Sequence, residues 1–179
     1  MLQNSSIYKT LKVFFDRPNR SHSLIDVSRY AELAHTSVRK NLDELINKDI
    51  IKLIIEKKGT RKFPIYIANV ENKEFRKYKK IYNNISIVNS GLIEFIEEKI
   101  TPKSIVLFGS YSRGEDDESS DIDLFIECKQ EKIDIDRFEK KLNRKIELHF
   151  KENFLSFPKE LRNNIINGIV LSGYLKAYK

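Results

Sequence analysis

The chain has 179 residues, of which 40% are hydrophobic and 33% charged. That balance suits one ordinary folded domain or two small ones and excludes an extended disordered chain. No apolar run approaches the roughly 18 residues of a membrane span, and MLQNSSIYKT lacks a signal-peptide pattern, so a cytoplasmic protein with no membrane partner is expected.

Cys128 is the single cysteine, which excludes a disulfide framework and a thiolate zinc site. His22, His35 and His149 lack ligand spacing and read as partly exposed polar residues. The net charge of +7 is uneven: residues 1–70 hold 13 Lys+Arg against 7 Asp+Glu, and residues 71–179 hold 20 against 19. A basic first third points to an anionic partner, nucleic acid being the commonest, and the asymmetry suggests two domains.

In chain order, SSIYKTLKVFF carries Ile7, Leu11, Val13 and Phe14 near helical spacing and stops at Pro18 and Asn19. SLIDVSRYAEL predicts a second helix with Leu24, Ile25, Val27 and Leu33 inward. In AHTSVRKNLDELINKDII, Val38, Leu42, Leu45 and Ile46 form one apolar stripe. Thr36, Ser37, Lys40 and Glu44 then face outward, with Arg39 at the flank. IKLIIEKKGTRKFPIYIAN reads as strand, turn, strand, with Lys57, Lys58, Gly59 and Thr60 turning and Arg61 and Lys62 just beyond.

Three helices and a basic hairpin in this order resemble a winged helix-turn-helix domain over residues 1–70. The resemblance implies a third helix entering a DNA major groove through Thr36, Ser37, Arg39 and Lys40, with Lys57, Lys58, Arg61 and Lys62 on the phosphates. The alternative is a protein-interaction module with a solvated hairpin.

Residues 71–87 read as a helical connector, with Phe75, Tyr78, Ile81 and Tyr82 on one face. It can dock on the first domain or mediate a homodimer. A helix over residues 88–99, carrying Leu92, Ile93 and Ile96, ends before Pro102.

SIVLF is an apolar run of strand length, followed by Gly109 for a sharp turn and by a short helix opening at Ser110. A strand feeding a helix N-terminus directs free N–H groups at one spot, which suits an anion such as a triphosphate. In SDIDLFIE a period of two sends Ile122, Leu124 and Ile126 to one face and Asp121, Asp123 and Phe125 to the other. Two like charges on one strand face are offset when a hard cation such as Mg²⁺ binds between them. RKIELHF supplies Glu147 as a third acid in an otherwise apolar strand. The loop acids Glu115, Asp116, Asp117 and Glu118 read as solvated.

Gly109-Ser110, ten intervening residues and Asp121-x-Asp123 after an apolar strand resemble the signature of the DNA polymerase β-like nucleotidyltransferases. With Arg113-Gly114 included, residues 88–179 are similar to the subset called minimal nucleotidyltransferases. The implied fold is α+β, a mixed β-sheet flanked by helices behind the N-terminal winged helix. The resemblance further implies two Mg²⁺ on Asp121, Asp123 and Glu147, with these three catalytic. Gly109, Ser110 and Arg113 would hold a nucleoside triphosphate, ATP above all, although Arg113 can equally form a salt bridge to the acidic loop. Glu147 stands where Asp is commoner, which lengthens the reach to a metal. The implied activity is transfer of a nucleoside monophosphate to a protein or small molecule. Members of the subset are commonly antitoxins paired with a cognate toxin. The alternative is a DNA-binding regulator whose second domain senses nucleotide or partner without turnover.

Overall fold

The structure, a computed structural model, describes residues 5–176, the side chain of Lys58 excepted. The chain forms two compact units, Met1–Lys79 and Lys80–Lys179.

In the first unit, α1 (Ser6–Asp16), α2 (Leu24–Ala31) and α3 (His35–Asn47) pack on one another. Ser5 caps α1 by accepting from the Tyr8 amide, and Ser23 with Asp26 forms a reciprocal capping box at α2. Phe14, Phe15, Val27, Val38, Leu42 and Leu45 fill the core. One polar pair shares it, Asn41 Nδ2 donating to Thr10 Oγ1 at 2.9 Å. Two expectations for α2 need correction. Ile25 is 56% exposed and Leu24 and Leu33 are only half-buried, while Ser28 and Ala31 join Val27 in the core. In so short a helix only the i, i+1, i+4 set fits one inward arc, and Ile25 lies about 200° from Val27.

Strands β1 (Ile51–Lys58) and β2 (Arg61–Ala68) pair antiparallel from Ile51↔Ala68 to Lys58↔Arg61, around a two-residue turn. Burial is confined to the hairpin base at Ile51, Tyr66 and Ala68, and Leu53, Ile54, Ile55 and Phe63 are exposed. His22 adds a short bridge on β2, exchanging backbone hydrogen bonds with Tyr66 at 2.9 and 2.8 Å. Far from being partly exposed, its ring is buried, edge-on to Phe14 and Tyr30.

Helix α4 (Lys73–Ser90) begins in the first unit and continues into the second, where α5 (Leu92–Ile100) follows. The sequence pattern suggests a break near residues 84–88, but the helix runs on to Gly91, whose φ of 79° sets the turn. The β-branched residues before it cost little helix propensity, and Ile87 is fully buried. The expected inward face also shifts. Tyr78 and Ile81 are exposed, and the buried stripe is Phe75, Lys79, Asn83 and Ile87 at four-residue spacing.

The second unit holds a four-stranded sheet made of β3 (Ser104–Phe108), β4 (Ile122–Ile126), β5 (Ile146–Phe150) and β6 (Ile169–Gly173), ordered β5-β4-β3-β6. β4 and β5 run parallel and the other pairs antiparallel, so the sheet is mixed and the fold α+β. Between the strands lie α6 (Gly109–Arg113), α7 (Asp136–Leu142), a 3₁₀ turn at Phe154–Ser156 and α8 (Lys159–Ile166). Strand alternation splits the side chains. Ile105, Leu107, Ile122, Leu124 and Ile126 pack with Ile93, Ile96 and Phe138 on one face, and Val106, Phe108 and Phe125 pack with Phe154 and Ile165 on the other. The second face also carries Asp123. Among the described residues, no helix is long and apolar enough to cross a membrane.

Candidate active site

The buried strand β3 ends at Phe108, whose extended backbone passes directly into α6. Gly109 sits at this corner with φ 75°, a conformation that L side chains rarely adopt. A Cβ there would also lie 2.3 Å from Asp123 Oδ2. The backbone conformation therefore favours glycine, and any larger residue would also have to push the Asp123 carboxylate aside. The Ser112 hydroxyl donates to the Gly109 carbonyl at 2.8 Å, and Gly114, in the left-handed region, closes the helix. Ser110 is half-buried on the first turn.

Asp123 is paired in register with Phe108 of β3 and with Glu147 of parallel β5, so the two acids stand side by side on one sheet face. His149, two residues beyond Glu147, shares that face. Its Nε2 lies 3.2 Å from Asp123 Oδ1 and 3.7 Å from Glu147 Oε2. Ligand atoms of Asp123, Glu147 and His149 all fall within 4.8 Å of one another. The hydrogen bond to Asp123 raises the His149 pKa, burial opposes the shift, and the charges of Asp123 and Glu147 add to it. The ring meets Phe108 edge-on, with centroids 5.1 Å apart.

Asp121 is not in this group. It lies one position before β4, half-buried, lining an open depression with Ser120, Asn143, Arg144 and Lys145. The structure thus brings two of the three predicted acids together and adds an imidazole. The Glu147-x-His149 spacing in the sequence already puts both side chains on one side of the strand while Leu148 packs in the core, but the sequence reading assigns His149 no role in the site. Two carboxylates with an imidazole within ligand distance fit a divalent cation, since all three are recognised donors to such ions.

The acidic loop is more ordered than its composition suggests. Glu115 and Glu118 are exposed as expected, but Asp116 is buried and accepts from Asn83 Nδ2 at 2.7 Å. The same amide donates to the Tyr111 carbonyl at 2.8 Å, tying α6 to α4. Asp117 accepts from the Ser119 amide and hydroxyl and from Ser120, and the Ser119 hydroxyl contributes most to lowering its pKa. Arg113 is exposed and donates to Glu115 at 2.6 Å, the salt-bridge alternative of its two sequence readings.

In the first unit, Thr36, Ser37, Arg39 and Lys40 are exposed on α3, and Lys57, Arg61 and Lys62 are exposed on the hairpin. The Lys58 side chain lies outside the described residues. The first turn of α3 has no side-chain cap and no acid. Glu44 is paired with Lys48 at 2.7 Å.

Comparison with known proteins adds to this geometry. Residues 90–171 match the family model described as a nucleotidyltransferase domain, which takes in α5, the β3–α6 turn, β3 to β5 and the first part of β6. No curated protein gives a significant match. Among solved structures, a possible transcriptional regulator from Methanosarcina mazei Go1 aligns over 54% of this chain and 78% of its own, with 18% identity and a TM-score of 0.37.

Proposed function

We propose that the chain is a nucleotidyltransferase that moves a nucleoside monophosphate, AMP from ATP, onto a hydroxyl of a partner protein or small molecule. The observation that carries this reading is the pairing of Asp123 with Glu147 across parallel strands, directly against the glycine corner, inside the stretch that matches the nucleotidyltransferase-domain model.

Asp123 and Glu147 would hold the Mg²⁺ that such domains use, and Asp121 would have to turn toward them to add a third carboxylate. When bound, the metal neutralises charge on the attacking and leaving oxygens. The chain's own groups supply the rest. Gly109 and Ser110 present backbone N–H groups and a hydroxyl to the triphosphate. Glu147, the most exposed of the three clustered side chains at 58%, takes the proton of the acceptor hydroxyl. The acceptor oxygen bonds to the α-phosphorus, the bond to the β-phosphate bridge breaks, and pyrophosphate leaves. Arg113 donates to Glu115 through Nε, so its terminal nitrogens would be the ones offered to phosphate.

The first unit is read as a winged helix that binds DNA. The uncapped, acid-free start of α3 suits phosphate, and Lys48 offsets the negative charge of Glu44 on the same helix. The bridge between His22 and β2 adds a short antiparallel pairing beside the hairpin. In this reading the protein is a DNA-bound regulator or antitoxin whose second unit modifies a partner. A non-catalytic alternative, a regulator that senses nucleotide, is favoured by one observation: Asp121 stands apart from the clustered ligands.

Labelled ATP, Mg²⁺ and cell extract decide between the two. Wild-type protein is expected to transfer label to an acceptor, with Asp123→Asn or Glu147→Gln lowering the rate about 10²–10³-fold or more. Nucleotide binding with no transfer by wild type would establish the sensor instead.

A further inference from the structure

We infer that His149 is a metal ligand and that the Asp123–Glu147–His149 cluster therefore selects a divalent transition ion such as Mn²⁺ over Mg²⁺. The inference rests on the metal site proposed above and names which cation that site prefers.

Geometry is the first support. Two donors bound at right angles to one small ion, at about 2.1 Å each, stand about 3 Å apart. His149 Nε2 lies 3.2 Å from Asp123 Oδ1 and 3.7 Å from Glu147 Oε2, close to that spacing. The same nitrogen faces both acids, so a single ion between the carboxylates would meet it without a change of strand register. Phe108, buried and edge-on to the imidazole, restricts where the ring can go.

Chemistry supplies the preference. Mg²⁺ takes hard oxygen donors and water, whereas imidazole suits Fe²⁺, Ni²⁺, Cu²⁺ and Zn²⁺. Mn²⁺, at the start of that first-row series, shares the oxygen preference of Mg²⁺ while also accepting nitrogen. A site meant for Mg²⁺ alone would place oxygen donors there. A nitrogen aimed at both acids shifts the balance toward ions that accept mixed donors.

The test uses the full chain and Mn²⁺ as a paramagnetic probe. Pulsed electron paramagnetic resonance of the Mn²⁺ complex is expected to show ¹⁴N coupling from a coordinated imidazole, absent in His149→Gln. Competition titrations should show the Mn²⁺-over-Mg²⁺ preference of wild type falling about tenfold or more in that variant. Mn²⁺ bound to wild type without nitrogen coupling overturns the imidazole ligand while leaving the carboxylate site intact. That spectrum decides even if the variant folds poorly. Failure of wild type to bind any divalent ion removes the metal site altogether, and label transfer in Mg²⁺ then reports separately on the proposed activity. Nitrogen coupling with equal affinity for both ions overturns the selectivity.

Discussion

The two polar constellations of this chain are built by different means. On the first unit, Arg39, Lys40, Lys57, Arg61 and Lys62 stand exposed on a helix and a hairpin. On the second, Asp123, Glu147, His149 and Gly109 come from separate elements and meet because strand register and one turn leave no other arrangement. A surface of the first kind tolerates change at single positions and acts through summed charge. A cluster of the second kind depends on each member, because every side chain limits the space of the next.

Gly109→Ala should break the contrast most sharply. The added methyl meets Asp123 Oδ2 in a backbone conformation hostile to alanine. We expect the second unit to lose about 2–4 kcal/mol, read by chemical denaturation, along with the proposed transfer activity. A loss under about 0.5 kcal/mol would show that Asp123 swings away freely.

Asn83→Ala tests whether the acidic loop belongs to the built site. Removing the amide takes one hydrogen bond each from buried Asp116 and the Tyr111 carbonyl, at an expected cost of about 1–3 kcal/mol. Glu118→Ala, in the exposed part of the loop, should cost under about 0.5 kcal/mol. Equal costs would mean that the loop is not anchored through Asn83.

On the basic side, neutralising Lys57, Arg61 and Lys62 together should weaken the proposed DNA binding roughly tenfold at low salt and flatten the dependence of affinity on salt. Retardation assays at two salt concentrations read both effects. An unchanged slope would remove the hairpin from the DNA interface.

The smallest effect concerns His22. Burial lowers its pKa against the opposing pull of a hydrogen bond to the Arg17 backbone and of Asp26, with Arg17 and Arg20 adding to the lowering. Its Nε2 has no hydrogen-bond partner. The folded pKa lies below the unfolded value of about 6.5, so the unfolded chain binds the extra proton. Stability is therefore full above that pH and declines as pH falls through the folded pKa. Melting of the first unit should drop between pH 7.5 and 5.5, and His22→Phe should flatten that drop.

Much of the second unit was legible because its signals are local. SIVLF is apolar after its first residue, Gly109 opens and Gly114 closes a five-residue helix, and alternation in IDLFI assigns each side chain to a face. Helix α4 was less legible. Its inward stripe includes Lys79 and Asn83, which hydropathy places outside; Asn83 is buried because Asp116 and Tyr111, distant in sequence, take its amide protons. The hairpin bridge at His22 was equally hidden, since an isolated histidine carries no strand pattern.

By itself, the order of residues determined the helices, the strands, the turn glycine and the acids that could share a face, because each follows from periodicity or from backbone sterics within a few positions. Tertiary structure alone decided that Glu147 stands beside Asp123, that His149 joins them and that Asp121 does not. Those outcomes depend on the parallel register between β4 and β5 and on the packing of rings such as Phe108, which arise only when segments far apart in the chain compete for the same space.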